Sequence, residues 1–128
     1  MDSRSLNYYK EATRDLCVQK GWDSSSVEQV WMLFSEEVGE LASAIRQHLS
    51  LFKNRFKRRR GVDVEAEMAD VLSYLFQLAD KLDIDMDAMW DKHLAKMSHK
   101  HQAYSKKVTE EKDIKTSVSL DINGPKSD

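Results

Sequence analysis

The sequence predicts an all-α protein of four to five helices, on two observations. Apolar residues recur every three or four positions along most of the chain. Only 4 Gly and 1 Pro occur in 128 residues, too few turn formers for a β-sandwich or barrel. That length suits one domain with a core that needs no disulfide staple.

The first helix is expected from about Ser5 to Lys20, with Leu6, Tyr9, Thr13, Leu16 and Cys17 on one face. Gly21 stands where a C-cap glycine belongs. Ser25-Ser26-Val27-Glu28 reads as a capping box with Ser25 as N-cap. The second helix then carries Val27, Val30, Trp31, Phe34, Val38, Leu41 and Ile45 as a continuous stripe. A basic stretch follows, from Lys53 through Arg60, ending at Gly61. Asp63 is the expected N-cap of the third helix, which is apolar on nearly every side from Val71 to Ala79. Asp85 is placed to cap a fourth helix, with Met86, Met89, Trp90, His93, Leu94, Met97, His101 and Tyr104 inward. The periodicity stops near Ser105. The expected organisation is a helical domain over 1–104 and a polar, flexible tail over 105–128.

Several function classes are excluded. Lys+Arg 20 against Asp+Glu 22 is not the basic balance of a protein that grips nucleic acid by charge. Glycines are not clustered, which argues against a Rossmann or P-loop site. Cys17 is the sole cysteine, so neither an intrachain disulfide nor a thiolate metal cluster is available. The first ten residues are polar and unlike a secretory signal, and no apolar run is long enough to span a bilayer. The expectation is a soluble, cytoplasmic protein.

The informative feature is a repeated spacing of acids. The second helix contains Glu36-Glu37-Val38-Gly39-Glu40, and the third contains Glu67-Met68-Ala69-Asp70. Each has a carboxylate pair at i, i+3, on one side of its helix. At about 100° per residue, Glu37 and Glu40 lie roughly 70° and 130° from the apolar stripe, and Glu67 and Asp70 roughly 80° and 140° to the same-handed side. Antiparallel packing of the two stripes would bring all four together. Four close carboxylates repel one another unless a cation neutralises them, and hard Mg²⁺ or Mn²⁺ suits oxygen ligands. The alternative is a solvated acidic face.

At these residues the sequence resembles the MazG-like all-α nucleoside triphosphate pyrophosphohydrolases. Their relatives include the dCTP pyrophosphatase, the dimeric dUTPases and phosphoribosyl-ATP pyrophosphohydrolase. The resemblance rests on Glu36-Glu37-x-x-Glu40-Leu41 followed by Glu67-x-x-Asp70-Val71-Leu72, and covers about Tyr8 to Met97. It implies a helical bundle assembled as a homodimer or homotetramer. It also implies Mg²⁺-dependent cleavage of a nucleoside triphosphate to the monophosphate and pyrophosphate. Glu37, Glu40, Glu67 and Asp70 match the family's metal ligands, and Glu36 matches an additional acid that positions water. Lys92 and Lys96 are the plausible phosphate contacts, although the family's Asn of that helix is missing. One relative has a base-stacking tryptophan after the first motif, where Gln47 or His48 falls here; Trp22 fits an N-terminal aromatic of that relative and is a substrate-binding candidate.

Trp31 and Phe34, three residues apart, are spaced either for core packing or for stacking on a base. A non-catalytic helical interaction module is the rival reading.

One expectation follows from counting. In an antiparallel pair, residues at the same level have a constant index sum, and Glu37 with Asp70 and Glu40 with Glu67 share one. The chain must therefore reverse near residues 53–54. Yet Leu49, Phe52 and Phe56 would let the helix run on to Gly61. The sequence thus predicts that the second helix breaks between Gln47 and Asn54, with Phe52 and Phe56 in a short separate element and Arg58 to Arg60 exposed near its end.

Overall fold

A computed structural model describes residues 4–51 and 63–122. Four helices follow in order: α1 Leu6–Lys20, α2 Val27–His48, α3 Val64–Lys81 and α4 Met86–Ile122. Among the described residues there is no strand, as the all-α expectation requires. None of these helices is long and apolar enough to cross a membrane. The chain divides into two compact units, Met1–Asp87 and Ala88–Asp128.

In the first unit α3 is central, with α2 and α1 both packed on it. It contributes Phe76, Leu78 and Ala79 to the buried set, more than any other helix. Its neighbours add Cys17 from α1 and Val30 and Ala44 from α2. Phe76, Ala79 and Met86 form a cluster against which Leu6 and Ile84 pack. The Tyr9 ring stacks on Phe76, centroids 6.4 Å apart.

Local signals explain the helix ends. Ser5 caps α1, its hydroxyl accepting from the Tyr8 N–H at 3.0 Å. Gly21 ends α1 at φ 70, where the lack of a Cβ removes the penalty. The Gly21 and Trp22 N–H groups donate back to Val18 and Cys17 carbonyls, a Schellman closure. The capping box of α2 sits one residue later than the sequence suggests. Ser26 is the N-cap and Gln29, not Glu28, completes the box. Ser-x-x-Gln satisfies the same two backbone donors as Ser-x-x-Glu, so both registers were open. Asp63 caps α3 as expected, accepting from the Ala66 N–H at 3.1 Å.

The second helix does break where the counting places it. It ends at His48, and Ser50 takes φ 54. The Ser50 and Leu51 N–H groups donate to Gln47 and Arg46 carbonyls. Asp83 repeats the device after α3, also at φ 54. Phe52, Phe56 and Arg58 to Arg60 lie outside the described residues.

The fourth helix is longer than its pattern indicates. It continues past Ser105 to Ile122, so most of the expected tail is helical. Residues 105–122 lack an apolar stripe but hold no Gly or Pro, and straight-chain residues such as Lys and Glu favour helix without a partner face.

The start of α4 and the start of α1 cap each other. Asp87 accepts from the Leu6 and Asn7 N–H groups at 2.9 and 3.3 Å. In return Asn7 accepts from the Met86 N–H at 2.9 Å and donates to Asp85 at 2.8 Å. Asp87→Ala leaves two α1 donors without their acceptor. It should cost about 1–2 kcal/mol, read from the urea unfolding midpoint with unchanged helical circular dichroism.

Candidate metal and substrate site

Carboxylates from two helices converge in the first unit. Ligand oxygens of Glu37, Glu67 and Asp70 lie within 4.8 Å of one another. Glu40 is exposed on α2, one turn from Glu37, close enough for its charge and a hydrogen bond to act on Glu37. Four of the five expected acids are thus electrostatically one group. Glu36 is exposed and outside the triad; its field reaches Tyr74.

Glu37 is the strained member. Its Oε2 is buried and has no hydrogen-bond partner. Burial pushes its carboxyl above the usual range, and the charges of Glu40, Asp70 and Glu67 push it the same way. Among the described residues no Lys or Arg pairs with any of the four. A buried orphan oxygen inside a carboxylate cluster fits a hard divalent cation, which would satisfy the orphan and cancel the repulsion together. Gly39 adds nothing by close approach: a Cβ there would meet open space.

The cluster opens into a cavity of about 510 Å³, within the range of small-molecule sites. Glu37 and Asp70 stand on its wall. Three pairs across it, Glu37 with Asp70, Leu33 with Tyr74 and Val30 with Gln77, share one index sum. Descending α2 thus matches ascending α3, the antiparallel register that joins the acids. The far wall is the α1–α2 turn, with Gly21, Trp22, Ser24 and Ser25. The Schellman closure fixes where Trp22 starts. Lys81 Nζ, donating to the Asp23 carbonyl at 3.1 Å, ties the turn to α3.

The expected aromatic and basic contacts separate. Trp22 lines the cavity and is 59% exposed. Trp31 is off the cavity wall and 57% exposed, stacked on Phe34 at 5.6 Å; in this chain it neither packs into the core nor lines the cavity. Lys92 and Lys96 are exposed on α4, in the second unit.

Sequence reasoning missed Ser73, Tyr74 and Gln77. They follow Asp70 at i+3, i+4 and i+7, the same face of α3, so the signal was there once Asp70 was chosen. Burial pushes the Tyr74 phenol up, helped by the charges of Glu37 and Asp70. It stays a protonated donor beside the acids.

Among the described residues an all-helical arrangement thus brings carboxylates of two helices together beside a ligand-sized cavity, the geometry of a candidate metal site. Residues 25–105 match the MazG nucleotide pyrophosphohydrolase domain, and the chain belongs to that family. No curated protein and no solved structure matches it.

The raised Glu37 carboxyl gives a pH dependence with a definite sign. Above the ordinary carboxylate range, folded Glu37 holds its proton longer than unfolded Glu37 does. Its contribution to stability of the metal-free protein is therefore present at acid pH and is lost as pH rises through the raised value. Glu37→Gln should remove that loss. Urea midpoints in EDTA, from about pH 4 to pH 7, should fall less steeply for the variant than for the parent.

Proposed function

We propose that the protein is a Mg²⁺-dependent pyrophosphohydrolase, with Mn²⁺ as a substitute. It cleaves a (deoxy)nucleoside triphosphate to the monophosphate and pyrophosphate, and so clears unwanted nucleotides in the cytoplasm. The observation that carries this is the orphaned, buried Glu37 Oε2 inside the Glu37, Glu67 and Asp70 cluster, at the wall of a cavity large enough for a nucleotide.

Glu37, Glu40, Glu67 and Asp70 would hold the cation. Bound there, it supplies Lewis-acid charge for triphosphate oxygens and lowers the pKa of an attacking water. The protein's own groups do the rest. Glu36, at the exposed edge of the cluster, orients the water and takes its proton. Tyr74, kept protonated, donates a hydrogen bond from the cavity wall. Trp22 offers a ring face to the base. Lys92 and Lys96 lie four apart on one face of α4 and are the candidates for neutralising phosphate; Trp31 remains a candidate only at an interface with another copy.

The same reading includes self-assembly. In the first unit Trp31, Met32, Val38, Leu49, Met68, Leu72 and Leu75 are exposed; in the second, Met89, Trp90, Leu94, Met97 and Tyr104 are. A homodimer or homotetramer covers such faces. Light scattering at micromolar concentration should give a dimer or tetramer; a monomer would count against assembly.

The deciding experiment is pyrophosphate release from a panel of canonical and modified (d)NTPs and phosphoribosyl-ATP, with and without Mg²⁺. Glu37→Gln and Asp70→Asn should each lower kcat/KM by roughly 10² or more while the folded state is retained. Near-normal turnover in both variants would sink the site assignment. No release from any substrate, with the dimer intact, would leave a helical interaction module.

A further inference from the structure

The cavity has a second end, remote from the acids. Asp70, Ser73, Tyr74 and Gln77 all line it from α3. Seven residues at 1.5 Å separate Asp70 from Gln77, roughly 10 Å along the axis. Across from Gln77 stands Val30, 1% exposed and the most buried large side chain. The α1–α2 turn supplies Trp22, Ser24 and Ser25. Because Ser26 takes the capping role, the Ser25 hydroxyl is left to the cavity.

The polar groups at this end are unspent. Among the described residues the side chains of Ser24, Ser25 and Gln77 have no hydrogen-bond partner. Gln77 is half-buried and shares the cavity lining with the apolar Val30 and Leu33, where its amide can pair with a ligand. Its carbonyl accepts and its NH₂ donates, side by side.

We propose that Gln77 is the residue that reads the nucleobase edge, which makes the site accept amino- and keto-edged bases alike. This rests on the nucleotide reading above. With the phosphates drawn to the acid end, a nucleoside extends along the cavity and brings its base edge toward Gln77. Cytosine and adenine present an amino donor beside a ring-nitrogen acceptor. Uracil, thymine and guanine present a carbonyl acceptor beside a ring N–H donor. An amide matches either order by a half-turn of its terminal torsion, and serine hydroxyls adapt likewise. No charged side chain among the cavity residues stands at this end to favour one order.

A carboxylate in the same place has lost the donor. Gln77→Glu should therefore lose one bond to cytosine and one to uracil alike, keeping the cytosine N4–H or the uracil N3–H. Its two oxygens instead match the adjacent N1–H and N2–H₂ donors of guanine, while Gln77→Leu should weaken all bases about equally. The first measurement is kcat/KM for dCTP, dUTP and dGTP with Mg²⁺. The second needs neither metal nor turnover: deoxycytidine, deoxyuridine and deoxyguanosine are titrated by NMR into labelled protein, following the Gln77 side-chain amide. The parent should use all three triphosphates, and all three nucleosides should shift the Gln77 amide. Gln77→Glu should move the dGTP to dCTP ratio and the matching nucleoside affinity ratio toward guanine by roughly tenfold or more. Gln77→Leu should leave both ratios near those of the parent with weaker binding, and it also serves if the Glu variant does not fold.

If turnover is present but the guanine to cytosine ratios in Gln77→Glu stay within about twofold of the parent, the edge assignment is wrong and the pyrophosphohydrolase reading survives. A preference of tenfold or more in Gln77→Leu overturns it equally. If no triphosphate is cleaved, yet the nucleosides shift the Gln77 amide and the variant ratio moves toward guanine, the reaction is wrong and the edge assignment stands. Absence of any nucleoside shift at Gln77 overturns the assignment whatever the turnover.

Discussion

The site depends on the register of α2 against α3. Antiparallel packing at one index sum sets Glu37 against Asp70 and, by the same step, Val30 against Gln77. A slip of one residue would swing each side chain about 100° and scatter the acids to solvent. The register is held although the carboxylates it gathers repel. Packing from α3 opposes that repulsion: Phe76, Leu78 and Ala79 are buried, all a turn or more beyond Asp70. On α2 buried Val30 and Ala44 stand on either side of the like charges, so the cost is confined to the stretch between them, where a cation can relieve it.

The same register dictates how the chain must turn. A straight α2 reaching Gly61 would have carried Glu67 far from Glu40, so the helix must stop early although its stripe continues. That stop was legible only through the acids, not through a stop signal. Ser50 adopts the left-handed conformation that sequence reading assigns to Gly or Asn, and nothing in the sequence around it marks the position. Gly21 was legible because its residue type and its φ agree. Asp83 closes α3 in the manner of Ser50, from a residue that tolerates the conformation better.

Other parts were less legible for equally physical reasons. Two serines in a row, each followed three residues on by Glu or Gln, offer two capping registers of nearly equal energy, and the structure takes the later one. The extension of α4 to Ile122 has no apolar stripe to announce it, only helix-tolerant residues. Trp31 illustrates the limit of periodicity. It lies on the α2 stripe, yet the stripe is wider than one chain covers, and its ring is left outside. The acids were found because two matched pairs are rare; Gln77 was missed because one polar residue in an apolar helix looks like the solvated face until the cavity beside it is known.

In the proposed function the two ends of the cavity divide the recognition between them. At the acid end the carboxylates are acceptors only, with the Tyr74 hydroxyl as the neighbouring donor, so it would take the cation and, through it, any polyphosphate without regard to the base. At the Gln77 end the side chains offer donors and acceptors in balance and carry no charge. Affinity would then arise mainly where the electrostatics are strong, and selectivity where hydrogen bonds must match in a half-buried place. Because roughly 10 Å of helix separates them, a substitution at Gln77 would alter which base is accepted without touching the carboxylates. The α3 stripe from Asp70 to Gln77 is what joins the two, and a rigid helix there would keep a base edge and a phosphate chain at a fixed separation.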